Sequence, residues 1–278
     1  MIEIDLIRVR VGIEIEGQMT FYENMKIKAT GKKFTDPTQN EAEVTISGLN
    51  EKTRNFILTE TSPYTKKTKP SRLTIEAGRV KDGLFLIFSG DIISADIGMP
   101  PDLDLTIKAK TNNSNFAKVV VTNGKAQQKL SEIAKIISNN NGLNLNFLAK
   151  DKNIANYSYA GAASKQIKDL QDVGNVNAFV DDKDLIIKDV LSAVKGRRRI
   201  LNMNTGLVGI PKQTEIGAEI TYLINDNSLL GGQITLESKF NKPLNGDYVI
   251  ENLSFNIENQ GNNFFYIANC RRLNANSK

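Results

Sequence analysis

The chain of 278 residues contains no histidine, no tryptophan and one cysteine. Without histidine, Ser-His-Asp and Cys-His catalysis and any histidine-ligated zinc are excluded within one chain. A single cysteine, Cys270, excludes an internal disulfide and a thiolate zinc or iron–sulfur site from one chain. It suits a reducing compartment. Cys270 lies in an aromatic-rich segment, where the expected role is that of a small buried hydrophobe rather than a reactive thiol. No run approaches about 20 apolar residues, so no apolar helix long enough to span a membrane is expected. The start, Met1-Ile2-Glu3-Ile4-Asp5, alternates acids with aliphatics and lacks the basic region and apolar core of a secretory signal. The enzyme chemistries left are those of carboxylates, lysine or a serine–lysine pair, and metal sites built from oxygen ligands.

What is present is globular in composition: 40% hydrophobic and 24% charged residues, in a chain long enough for two or three domains. The net charge is +5, and its placement matters more than its size. Residues 1–111 hold 16 cations and 16 acids, residues 112–199 hold 14 and 8, and residues 200–278 hold 6 and 7. The excess therefore belongs to the middle segment, where Lys195-Gly196-Arg197-Arg198-Arg199 supplies four cations. Such a run can grip phosphates. Here no aromatic residues interleave to stack bases, so a solvated linker is the expected reading and no specific nucleic-acid binding is expected.

Other constellations are weak. Asp181-Asp182-Lys183-Asp184 offers three carboxylates in four residues but does not fit a calcium loop, so a solvated hairpin turn is preferred to a hard-cation site. Ser192-Ala193-Val194-Lys195 matches the Ser-x-x-Lys of acyl-serine enzymes but lacks its partner motifs. Gly31-Lys32-Lys33 lacks the first glycine of a phosphate loop. Most acids alternate with aliphatics, as on the outward face of a sheet. Paired glycosidase carboxylates, whose spacing is spatial, stay open on sequence alone. No catalytic, cofactor-binding or metal residue is assigned, and no enzyme activity is expected.

The dominant periodicity is two. Ile7, Val9, Val11, Ile13 and Ile15 alternate with charged residues, after a parity slip against Ile2, Ile4 and Leu6 that predicts a bulge, or a break near Gly12. Strands are also predicted around Met25–Ala29, Val44–Ile46, Leu73–Ala77, Ile93–Ile97 and Leu103–Ala109, with Asn50 capping a short helix at Arg54–Ile57. Leu84-Phe85-Leu86-Ile87-Phe88 is apolar on both parities and predicts a strand covered on both faces. Thr61 to Pro70 is a polar, basic loop.

The period then changes to 3.6. Ser114 is predicted to cap a short helix with Phe116, Val119 and Val120. Leu130, Ile133, Ala134 and Ile137 form one helix stripe that ends at Asn139-Asn140-Asn141-Gly142. Leu143, Leu145 and Phe147 follow as a strand. Ser164 is predicted to cap a helix with Ile167, Leu170 and Val173, and Val176–Val180 then pairs with Leu185–Ile187. Beyond residue 200 alternation returns: Ile216, Ala218, Ile220, Tyr222 and Ile224; then Ile234, Leu236, Ser238 and Phe240; then Tyr248-Val249-Ile250; then Phe264 to Cys270. Gly231-Gly232, Asn245-Gly246-Asp247 and Gln260-Gly261-Asn262-Asn263 punctuate these runs.

The order of these segments resembles a known family. Asn204-Thr205-Gly206-Leu207-Val208-Gly209-Ile210-Pro211, the long alternating run, the Gly-Gly break, the return Asn245-Gly246-Asp247-Tyr248-Val249-Ile250 and the final aromatic strand look like the C-terminal tube-like domain of the tail-hub (baseplate hub) proteins of contractile-tailed bacteriophages and related injection particles. Phe88-Ser89-Gly90-Asp91-Ile92-Ile93, a proline-bounded loop and Leu105-Thr106-Ile107-Lys108-Ala109-Lys110 look like the close of a hub's first tube-like domain.

The resemblance implies a mainly β chain with an α/β insert: tube-like β-barrel domains at 1–111 and 200–278 flanking a small α/β module with a basic linker at 112–199. It further implies a structural protein of the virion tail tip, assembled in the host bacterial cytoplasm. That protein would be a homotrimer joining a six-fold tail tube to a three-fold tail spike, in contact with other baseplate proteins. The genome would pass through its lumen, with no membrane partner and no cofactor. The alternatives are a carbohydrate-binding or wall-degrading tail-tip protein, or another tube-domain subunit of a contractile injection system. The chain is short for a hub, and the outer domain of larger relatives has no counterpart in it.

Overall fold

The computed structural model describes residues 6–65, 69–194, 196, 198–224, 228 and 230–273. The first part of the chain forms seven strands and one helix: β1 (Ile7–Ile15), β2 (Gln18–Tyr22), β3 (Lys26–Phe34), β4 (Glu41–Ser47), α1 (Glu51–Thr61), β5 (Arg72–Arg79), β6 (Gly83–Ile97) and β7 (Leu105–Lys110). The middle forms α2 (Asn113–Phe116), β8 (Val119–Asn123), β9 (Gln127–Lys129), α3 (Leu130–Asn141), β10 (Asn144–Phe147), β11 (Asn153–Ala155), β12 (Ser158–Ala162), α4 (Ala163–Gly174), β13 (Asn177–Asp181) and β14 (Asp184–Lys188). The last part forms β15 (Arg199–Leu201), β16 (Leu207–Gln213), β17 (Gly217–Leu223), β18 (Gln233–Leu236), β19 (Gly246–Glu258) and β20 (Phe264–Arg272).

The chain is mostly β, and its first and last parts share one 13-stranded sheet. The main path runs β16-β17-β20-β19-β3-β4-β7-β6-β5-β1-β2, with β18 attached to β19 and β15 to β18. The joint is the antiparallel pair β19–β3, in register from Asn252 opposite Phe34 to Glu258 opposite Lys28. Gly31 makes this joint close. A Cβ there would stand 2.4 Å from the Phe255 ring and 2.6 Å from the Glu41 carbonyl oxygen.

Alternation buries one face. Ile27 and Ala29, Val44 and Ile46, Leu105 and Ile107, Leu253 and Ile257, and Ala218, Ile220 and Tyr222 all enter a single core spanning both halves. α1 closes it with Ile57, and the Asn50 side chain accepts the Thr53 N–H at 2.8 Å, the cap expected from sequence.

A second core lies under α3 and α4, from Leu130, Ile133, Ala134 and Ile137 to Leu170, Leu185 and Ile187. α3 stops at Gly142, which adopts φ 64° and so takes the left-handed cap that glycine favours. The hairpin β13–β14 belongs to both cores. Phe179 and Ile186 face the large one, while Ala178, Val180, Leu185 and Ile187 face the small one.

Several local expectations are corrected. β1 runs unbroken through Gly12, and the slip falls at its start; Met1 to Asp5 lie outside the described residues. Leu84–Phe88 is not covered on both faces: Ile87 is an extra residue between the pairs Ile75–Phe88 and Glu76–Leu86, and Leu86 stays exposed. The bulge, rather than two-sided burial, explains apolar residues on both parities. α2 follows Asn112 rather than Ser114, and Val119 and Val120 lie in β8. α4 follows Ala162 with no side-chain cap, so Ser164 is already inside it. Phe240 lies beyond β18 and is exposed.

Candidate assembly surfaces

The polar face of the sheet carries charges in cross-strand rows. Lys32, Glu41 and Lys110 are successive partners across β3, β4 and β7, as are Thr30, Glu43 and Lys108. Glu43 meets Lys108 at 3.5 Å, and Glu258 meets Lys28 at 3.4 Å. These contacts are solvent-exposed, so each contributes about 0–1 kcal/mol. A shallow concavity of about 580 Å³ lies over this face, lined by Lys32, Glu41, Lys108, Lys110, Ser254 and Asn256. Opposite charges facing across strands suit an open polar surface, and their arrangement suggests no chemical step.

The sheet ends in edges. β16 is the last strand on one side and β2 on the other. β6 changes partner along its length. Gly83–Asp91 pairs with β5, and Asp91–Ile97 pairs with β7. Exposed apolar side chains gather near these ends: Met19 and Phe21 on β2, Ile93 and Ile97 on β6, Met99 beyond it, and Val208 and Ile210 on β16. Large apolar side chains left in water along strand edges are the usual mark of an interface.

The middle segment is latched to the sheet by buried polar groups. The Lys33 ammonium donates to Asp181 Oδ1 at 2.7 Å and to Asp182 Oδ2 at 3.1 Å. The Ser89 N–H donates to the other Asp182 oxygen at 2.7 Å. Asn40, fully buried, accepts the Phe34 N–H and donates to the Val180 carbonyl. Asp181 and Asp182 are therefore docked, which corrects the expectation of a solvated hairpin for that end of the turn, while Lys183 and Asp184 stay exposed. Burial pushes the Asp182 carboxyl up to about 6 against the pull of Lys33. Burial opposes the charge on Lys33, yet the two carboxylates outweigh it and hold the ammonium protonated well above its usual range. The sequence carried a signal that was missed: Lys33 sits on the parity of Ile27 and Ala29, a lysine on the core side of a strand.

The remaining candidates are absorbed by structure. Arg198 pairs with Asp247 at 2.8 Å, and Arg199 lies 4.7 Å over the Tyr222 ring while donating to the Leu223 carbonyl at 2.8 Å. Half of the basic run thus ties β15 and the residue before it to β17 and β19; Lys195 and Arg197 lie outside the described residues. Ser192 Oγ donates to the Asp189 carbonyl at 2.9 Å. Cys270 is fully buried, and burial pushes its thiol above the usual range. Among the described residues no three acids, cysteines or histidines form a metal-binding group. Part of the Thr61 to Pro70 loop, residues 66–68, also lies outside them.

A family described as baseplate hub gp41 matches residues 8–270. No curated protein matches the chain by sequence. Solved structures match over nearly the whole fold. The 43 kDa tail protein of prophage MuSo2 from Shewanella oneidensis aligns with TM-score 0.63 at 9% identity, covering 95% of this chain and 96% of that one. A tail protein from Neisseria meningitidis aligns with TM-score 0.65 at 7% identity, again over 95% and 96%. A component of the E. coli type VI secretion system, itself similar to the phage T4 tail proteins gp27 and gp5, aligns with TM-score 0.55 at 8% identity over 95% and 77%.

Proposed function

The chain belongs to the baseplate hub gp41 family, and on that premise we propose that it is the central hub of a phage baseplate, a homotrimer joining a six-fold tail tube to a three-fold tail spike. The observation that carries this reading is the strand order. Four strands of the first part, β3-β4-β7-β6, continue without a gap into four of the last part, β16-β17-β20-β19; among the described residues β16 is an edge at one end, and at the other β6 runs on into β5, β1 and β2. Three such chains closed head to tail supply six similar four-stranded sheets. That number meets a six-fold tube on one side while the assembly keeps three-fold symmetry for a spike on the other.

Cyclic closure also removes the edges that would otherwise recruit further copies without end. On this reading residues 1–111 and 200–278 are the two tube-like domains and 112–199 is an outer module. The protein resides in the virion tail tip after assembly in the host cytoplasm. Tube, spike and other baseplate proteins are its partners, and it acts by geometry rather than catalysis.

Light scattering behind a sizing column tests this directly. The expected mass is three times 30.8 kDa. A monodisperse monomer at tens of micromolar that stays monomeric with spike protein present would refute the ring.

A further inference from the structure

The middle segment carries an open strand edge of its own. β8 pairs with β12, and β9 pairs with β11. The two pairings are one ribbon. The Gly124 N–H donates to the Tyr157 carbonyl at 2.7 Å, and the Asn156 N–H donates to the Ala126 carbonyl at 3.1 Å, so Lys125 alone has no counterpart across the ribbon. It is an extra residue, and the ribbon bulges there.

The hydrogen bonds fix which way β8 turns its main chain. The Ala163 N–H donates to the Lys118 carbonyl at 2.8 Å. Bonded pairs in an antiparallel ladder recur at every second residue. Residues 118, 120, 122 and 124 therefore bond to β12, and Val119, Val121 and Asn123 turn their N–H and C=O groups outward. Among the described residues no strand other than β12 pairs with β8.

The side chains of the same three residues face solvent. Val119 is 76% exposed and Val121 69%, while Val120 and Thr122 between them are buried. Ala162 and Ala160 stand opposite the two valines, so the outer face of the ribbon is apolar here. The far edge is less open. The Tyr159 hydroxyl donates to the Ala162 carbonyl at 2.7 Å, and α4 begins at the next residue.

Charge brackets the open row. Segments 118–125 and 158–168 contain Lys118, Lys125, Lys165 and Lys168, all exposed, and no acid. Lys118 and Lys125 sit just beyond the two ends of β8.

We propose that β8 is a docking edge for an extended strand of another protein, apolar at alternate positions and flanked by carboxylates. Main-chain bonds to Val119, Val121 and Asn123 hold the added strand, its apolar side chains lie beside the valines, and its acids meet Lys118 and Lys125. A second copy of this chain is the wrong occupant. Two β8 edges paired about Val121 bring Lys118 of each copy next to Lys125 of the other, and like charges oppose such pairing. The bulge at Lys125 ends the straight edge, so the added strand is short. This surface lies in the middle segment and does not depend on the ring.

The test uses a fluorescein-labelled peptide, Glu-Glu-Thr-Val-Thr-Val-Thr-Glu-Glu, titrated with the whole chain and followed by anisotropy, beside hydrogen exchange of the amides of residues 119, 121 and 123. Saturable binding that slows exchange at these amides is expected, with about tenfold preference over the same peptide flanked by lysines. Val121→Pro removes an outward N–H and no bond of the ribbon, so the fold is kept while binding weakens about tenfold. Lys118→Glu/Lys125→Glu leaves the backbone untouched and reverses the preference between the two peptides. No binding of the acidic peptide at about 1 mM would overturn the proposal, as would binding that either variant leaves unchanged. Exchange at the three amides that slows with rising protein concentration, without peptide, would place a second copy on this edge and overturn it too.

Discussion

Replacing Lys33 by methionine isolates what the buried latch contributes. The stem of the side chain is kept and the ammonium is lost, so packing against β3 changes little. Asp181 and Asp182 are then left facing each other, with side-chain exposures of only 15% and 18%. Removing one partner of a buried ion pair costs about 3–5 kcal/mol, because the remaining charge keeps its desolvation penalty and loses its compensation. The residual exposure here lets water take up part of that, so about 2–4 kcal/mol is expected. For a chain of this size that corresponds to roughly 5–12 °C in Tm. Calorimetry at pH 7.5 would read it, and the loss should shrink at pH 5, where Asp182, at about 6 in the wild type and higher still without the ammonium, is protonated. A variant within 0.5 kcal/mol of wild type at pH 7.5 would show that the latch is not the ion pair.

Asp182→Asn should behave in the opposite sense. The folded carboxyl titrates at about 6, above its unfolded value of 3.8, so its favourable contribution is complete below 3.8 and lost as pH rises through 6. The amide keeps the acceptor for the Ser89 N–H, so urea unfolding should show the variant gaining on wild type between pH 5 and pH 7.5, and a flat difference would contradict the assignment. Gly31→Ala should lose at least 2 kcal/mol in the same assay, since its Cβ has no room beside Phe255 and the Glu41 carbonyl. Glu43→Gln should move stability by less than about 0.5 kcal/mol, because its lysine partner is half in water. The Cys270 thiol should react with a maleimide at least a hundredfold more slowly than a free thiol until the protein unfolds, and prompt labelling would show that β20 opens locally.

The β character and most strands were legible because one face of the sheet is core and the other is polar, which writes itself as alternation. β2, β16 and the small ribbons β8–β12 and β9–β11 were missed for the complementary reason. They lie at edges or carry apolar residues such as Val119 and Val121 in water, so burial imposes no period on them. The joint between β19 and β3 could not be read at all, since pairing between residues more than two hundred positions apart leaves no local mark beyond the glycine that makes room for Phe255. The Asp181–Asp184 turn looked solvated because its partner, Lys33, is distant in sequence. The early alternation, by contrast, carried through Gly12 as a single strand.

The hairpin β13–β14 works as a party wall. Because one of its faces completes the sheet's core and the other roofs the helices, neither compartment is sealed without it, and heating should melt both in one calorimetric transition rather than two. The helices and ribbons beyond the wall are under a different regime. α2 still holds the buried Asp91 of β6 through the Ser114 N–H, but α3 and α4 pack on each other and on the strands of their own module, so over generations their outward surfaces are free to be rewritten or re-aimed at new neighbours while the wall and the arc behind it stay the same.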